Sequence, residues 1–111
     1  MPDAFPAVGH KYLVDFKAPG AEFRVQLDFT SDTSLTYTGV KPDGSLDTSN
    51  VETVTINVEP IRDQLFLVTW KEKLGTTVVH LEDYKNNTII TNITDPDGTF
   101  STFHGVMTLI C

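Results

Sequence analysis

Arginine, cysteine, tryptophan and long apolar runs are scarce in this chain, and each scarcity excludes something. Only two of its eight cations are arginines, Arg24 and Arg62, and fifteen carboxylates outweigh them to a net charge of −7 over 111 residues. A chain of that sign repels polyphosphate, so neither nucleic acid nor an anionic membrane surface is an expected partner. One cysteine, Cys111, leaves no internal disulfide and no cysteine-based zinc cluster. At the last position it is also a poor nucleophile. No apolar run approaches the ~18 residues of a membrane span. The opening residues Met1-Pro2-Asp3-Ala4-Phe5-Pro6 lack the basic and apolar regions of a secretory leader, so a cytoplasmic location is expected. Gly-rich phosphate loops and a nucleophile-elbow serine are missing. His10, His80 and His104 are too widely spaced for a paired metal motif, so neither a metal nor another cofactor is expected.

What is present is β-structure from end to end. Strands are predicted at residues 10–17, 22–29, 33–40, 51–58, 64–72, 76–84, 88–94 and 99–110. Turn chemistry separates them at Ala18-Pro19-Gly20-Ala21, Ser31-Asp32, Lys41-Pro42-Asp43-Gly44, Leu74-Gly75, Asn86-Asn87 and Asp95-Pro96-Asp97-Gly98. Starts recur every 11–13 residues, with one longer gap over residues 41–50 read as a polar loop. No gap has room for a crossover helix, so neighbours are antiparallel and joined by hairpins. Phe23, Val25, Leu27 and Phe29 alternate with polar residues, as do Val54, Ile56 and Val58, which is one-face-in patterning. Eight strands in a meander leave two exposed edges unless the sheet closes. The expected fold is therefore a single all-β domain over residues 1–111, an eight-stranded antiparallel up-and-down barrel.

A barrel of eight strands has room inside for side chains and for one small ligand. The apolar and aromatic inner positions suit a lipophilic or planar molecule; the competing reading is that they fill the core. The informative stretch is Phe66-Leu67-Val68-Thr69-Trp70-Lys71-Glu72. Phe66, Val68, Trp70 and Glu72 share one face, so an inward Trp70 brings Glu72 to the barrel mouth. A carboxylate beside an apolar wall is suited to general acid or base work; one beyond the rim is simply solvated or paired with Arg24 or a lysine. His80 depends on register. A two-residue Leu74-Gly75 turn puts Val79, Leu81 and Asp83 inside, whereas a Lys73-Leu74-Gly75 loop puts Val78, His80, Glu82 and Tyr84 inside. Apolar count favours the first. Turn chemistry favours the second, because Gly75 accepts a positive φ and leucine does not, and it sets His80 beside Glu72 as an acid–base pair. Tyr12, Tyr37 and Trp70 offer hydroxyl or indole donors to a bound carbonyl or carboxylate, or serve as core aromatics. Phe16 and Val68 complete the candidate ligand wall. In the second register Leu13, Leu65, Leu67, Val79 and Leu81 lie outside, a patch that points to a homodimer.

The second half of the chain resembles the MoaF-like family of small calycin (lipocalin-like) barrels. Val68-Thr69-Trp70-Lys71-Glu72, Gly75 to Tyr84, Asn92 to Phe100 and Gly105 carry the likeness, which spans about Val51 to Ile110 and extends loosely through Gly9. A more distant similarity is to the phenolic acid decarboxylases, cofactor-free barrel enzymes with a Trp-x-Glu on the corresponding strand. The likeness implies that Glu72 works inside the barrel. Where those enzymes carry two tyrosines on the first strand, this chain has Val14 and Phe16, and no arginine lies between Arg24 and Arg62.

Three functions compete. The first is a cofactor-independent isomerase, cyclase or lyase acting on a small apolar or aromatic metabolite, with Glu72 as general acid or base and His80 as its partner. The second is a lipocalin-like carrier or sensor that binds a small hydrophobic ligand without turnover. The third is a partner protein with a filled interior that docks through its outer leucines.

Overall fold

The computed structural model describes residues 5–18 and 21–110. It contains nine strands: β1 (Lys11–Ala18), β2 (Ala21–Phe29), β3 (Ser34–Val40), β4 (Leu46–Thr55), β5 (Asn57–Arg62), β6 (Leu65–Lys71), β7 (Thr77–Asp83), β8 (Thr88–Thr94) and β9 (Phe100–Leu109). There is no helix among the described residues, and so none long and apolar enough to cross a membrane. All nine strands form one antiparallel sheet in the order β4-β3-β2-β1-β9-β8-β7-β6-β5. The first strand pairs with the last, Val14 opposite Met107 and Phe16 opposite Gly105, and the sheet curls into a half-barrel around one apolar core. Cys111 and the Pro19-Gly20 turn lie outside the described residues.

Eight strands were expected and nine are found, because the stretch 51–58 is two strands. Thr55 ends the pairing with β3, the Ile56 N–H donates to the Thr33 carbonyl (2.9 Å), and Asn57 opens the pairing with β6. The chain thus crosses from one sheet edge to the other at a single residue. Among the described residues no ladder joins β4 to β5, so the two edges that full closure would remove remain, side by side in sequence. The alternation survives the crossing. Val54 and Ile56 are buried on either side of the step, and Val58 packs against the same core.

The expected loop 41–50 is shorter than its composition implies. β4 begins at Leu46, and the register jumps from Thr38 opposite Val51 to Gly39 opposite Asp47, so Thr48, Ser49 and Asn50 bulge from the ladder. Asp47 holds the bulge by accepting from the Ser49 N–H (3.1 Å) and hydroxyl (2.6 Å).

One end of the half-barrel is plugged. Phe5 packs edge-on against Phe29, Phe66 and Tyr84 at centroid separations of 5.3, 5.1 and 5.7 Å, Ala7 is fully buried, and the Gly9 N–H anchors the segment on the Phe29 carbonyl (2.7 Å). At the other end the chain turns through Lys73-Leu74-Gly75. The Gly75 N–H returns to the Glu72 carbonyl (2.9 Å), Glu72 pairs with Thr76 (2.7 Å), and Gly75 takes a φ of 101°. This is a three-residue loop with its left-handed position given to glycine. The same pattern recurs at Asp95–Thr99. With that loop, Leu13, Leu65, Leu67, Val79 and Leu81 fall on the outer face, each half-buried by its neighbours.

Candidate functional site

The Gly75 loop decides the inside of β7. Trp70 stands opposite Val78, Val68 opposite His80, and Phe66 opposite Glu82. Val78, His80, Glu82 and Tyr84 therefore run in line down the inner face, from the open end to the plug. His80 is 3% exposed and Glu82 not at all. An ionisable group taken out of water must be hydrogen-bonded or paired, and these are. His80 Nδ1 lies 3.0 Å from Glu82 Oε2, and the Tyr84 hydroxyl donates to Glu82 Oε1 at 2.5 Å. An ionised Glu82 would only accept, which would put the shared hydrogen on Nδ1 and the lone pair of the ring on Nε2. No group among the described residues bonds Nε2.

Above this line the half-barrel encloses a cavity of about 230 Å³, open at the loop end. Phe16, Phe23, Val25 and Leu27 form one wall; Trp70, Val78 and Ile93 form the other. His80 and Thr91, cross-strand neighbours on β7 and β8, reach it from below. Tyr37, Asn50, Glu72, Thr76 and Asp95 ring the opening. The Thr91 side chain is fully buried, and its Oγ1 has no partner among the described residues. At the mouth the Trp70 indole donates to Glu72 Oε2 (3.1 Å) and the Tyr37 hydroxyl to Glu52 Oε1 (3.1 Å). Trp70 meets the His80 ring edge-on at 4.7 Å and lies nearly parallel to Tyr37 at 6.5 Å. Glu52 also accepts the Lys73 N–H (2.8 Å), tying β4 to the β6–β7 loop.

Five of the seven residues singled out from the sequence meet in this cavity: Glu72, His80, Phe16, Tyr37 and Trp70. The other two do not line it. Tyr12 sits deeper, edge-on to Tyr84 (5.5 Å) and Phe29 (6.3 Å), and Val68 is buried beside His80. Glu72 and His80, expected side by side as an acid–base pair, line the same cavity, each with a different hydrogen-bond partner: Glu72 accepts from the Trp70 indole and His80 is bonded to Glu82. Glu72 is not paired with Arg24, whose guanidinium reaches the carbonyls of Lys41 (3.1 Å) and Pro42 (2.9 Å). Glu82 was not selected from the sequence, although the alternation that turns His80 inward also turns Glu82 inward. Asn50 could not have been selected. The bulge delivers it, with its amide filling the space beside Gly39 that a Cβ there would need. Among the described residues no group of three or more His, Cys, Asp or Glu is arranged to hold a metal.

The profile of the MoaF-like family matches residues 8–108, nearly the whole chain. The chain belongs to the MoaF-like family. No curated protein matches it in sequence. A crystal structure from Burkholderia vietnamiensis, described as that of "a putative beta-lactamase", superimposes with a TM-score of 0.81 at 18% identity, covering 95% of this chain and 96% of that one. Likeness at that identity is likeness of fold.

In the MoaF-like half-barrel all three tyrosine hydroxyls are pushed above their ordinary value. Tyr84 and Tyr12 are pushed up by burial and then by the Glu82 charge; Tyr37 is pushed up by burial and then by Glu72 and Glu52. A raised value means that the folded chain holds phenolic protons that the unfolded chain loses near pH 10. Stability should therefore be intact below pH 10 and fall above it, by up to about 1.4 kcal/mol per pH unit for each hydroxyl fully blocked from ionising. Phenolate absorbance and loss of the β-sheet dichroism should rise together in an alkaline titration; phenolate forming near pH 10 with the fold intact would contradict the buried network.

Proposed function

We propose that this MoaF-like chain is a cofactor-independent enzyme of the isomerase, cyclase or lyase type, moving a proton on a small apolar or aromatic metabolite held in the cavity. The observation that carries the reading is the His80–Glu82 pair. It orients the imidazole of a cavity-lining residue, and in this reading an ionised Glu82 leaves the lone pair on Nε2 and supplies a counter-charge when the ring takes up a proton. His80 is the general base in this scheme and Glu82 the residue that positions it. Glu72 at the mouth is the second acid–base group, and the protonated Tyr37 hydroxyl orients the substrate. The size agrees. About 230 Å³ lies between the roughly 150 Å³ cavity that takes up benzene and the roughly 300 Å³ where drug-sized pockets begin, which is room for one substituted ring. In architecture we read the half-barrel as a lipocalin-like (calycin) cup, plugged at Phe5 and entered past Trp70. Acyl transfer of the serine-lactamase kind has less support, because the described residues of the cavity lining include no serine and no lysine.

Hydrogen exchange at carbon tests this without the natural substrate. Single-ring ketones are incubated with the protein in deuterated water, and exchange of the hydrogens next to the carbonyl is followed by proton NMR. General-base catalysis of this kind contributes roughly 10²–10⁴-fold, so His80→Gln should lose exchange by about that factor while the ketone still perturbs Trp70 fluorescence. Ketones that bind the wild-type chain without any exchange would replace the enzyme reading with that of a carrier.

A further inference from the structure

The cavity is unusually one-sided in charge. Among the described residues its lining includes two carboxylates, Glu72 and Asp95, and neither lysine nor arginine. A third carboxylate, Glu52, stands behind Tyr37. The nearest arginine in sequence, Arg24, is engaged by backbone carbonyls, and the chain as a whole carries −7. An entering anion would lose its hydration and meet like charge at the mouth, with no cation among the described lining residues to receive it. A cation meets two carboxylates and the neighbouring aromatic rings of Trp70 and Tyr37, groups of the kind that hold ammonium ions. At the opposite end the buried Thr91 hydroxyl has no partner among the described residues, so a ligand group reaching the floor can supply its bond.

From this juxtaposition we propose that the cavity selects a single-ring compound carrying a protonated amine. The amine sits at the mouth between Glu72 and Asp95, and a second hydrogen-bonding group reaches Thr91 at the floor. The proposal rests on the reading of the cavity as a ligand chamber and names the ligand class that chamber takes. It runs against a carboxylate substrate of the phenolic acid type, for which the described lining offers no cationic partner.

Three single-ring probes of similar size separate the two claims: 4-hydroxybenzylamine, 4-hydroxybenzyl alcohol and 4-hydroxybenzoate, each titrated at neutral pH against the fluorescence of the single tryptophan. The amine should bind about ten-fold or more tightly than the alcohol, and the carboxylate should give no saturable change. Joint replacement of the mouth carboxylates, Glu72→Gln with Asp95→Asn, should bring the amine to within about three-fold of the alcohol without weakening the alcohol. Thr91→Val should weaken 4-hydroxybenzylamine by about five-fold or more and leave benzylamine, which lacks the ring hydroxyl, nearly unchanged. Binding of the alcohol or the carboxylate as tight as that of the amine would overturn the charge selectivity and leave the chamber standing. No binding of any probe would overturn both.

Discussion

Glu82→Ala is expected to lower the unfolding free energy by about 3 kcal/mol, read as a shift in a denaturant melt at unchanged slope. The carboxyl group it removes is fully buried between Phe66 on one side and Ile89 on the other, and it is hydrogen-bonded to His80 Nδ1 and accepts from Tyr84. Truncation leaves two donors in a dry interior, each costing about 1–3 kcal/mol when unsatisfied, and opens a void beside the plug. Tyr84→Phe removes one of those donors together with its demand and should cost only about 1 kcal/mol. The double variant should be clearly less destabilised than the sum of the two, because the same bond is counted in both. A loss below about 1 kcal/mol for Glu82→Ala would mean that the line from His80 to Tyr84 is not held as described.

Gly105→Ala is expected to cost about 2 kcal/mol by the same measurement. Gly105 faces Phe16 where the last strand joins the first. A Cβ there would come within 2.7 Å of the Asp15 carbonyl oxygen and 2.8 Å of the Phe16 ring. The ring can turn aside, but the carbonyl belongs to the β1–β9 ladder and cannot retreat without opening it. The effect reaches the site as well, since Phe16 lines the cavity and any shift of β1 moves that wall. A cost under about 0.5 kcal/mol would show that the junction between first and last strand is looser than its register implies.

Much of this was legible in the chain because the signals were local. Gly75, the residue in its loop that takes a positive φ freely, set the β6–β7 register against the apolar count of Val79 and Leu81, and the register alone turned His80 and Glu82 inward. The alternation of Val54, Ile56 and Val58 was equally readable, and it holds across a break that it could not reveal. A period of two says which face a residue takes but not which neighbour the strand pairs with, so the passage from β3 to β6 at Ile56 left no mark. The bulge that carries Asn50 inward was hidden for a related reason. Thr48-Ser49-Asn50 reads as loop, and only the partner strand shows where the ladder resumes. The pairing of His80 was missed differently. Glu72 drew attention through the Trp-x-Glu pattern, whereas the closer partner stands two residues along the same strand, where adjacent inward side chains on one face meet.

The central claim is that the imidazole of His80 presents a lone pair to the chamber because Glu82 holds its hydrogen on the other nitrogen. Nitrogen-15 NMR of the ring, with His80 assigned by its loss in His80→Gln, measures this directly. The account expects the neutral tautomer with the hydrogen on Nδ1, and a shift of the Nε2 resonance when a ligand fills the cavity. A hydrogen found on Nε2, with Nδ1 accepting from a protonated Glu82, would leave no base facing the substrate and would contradict it.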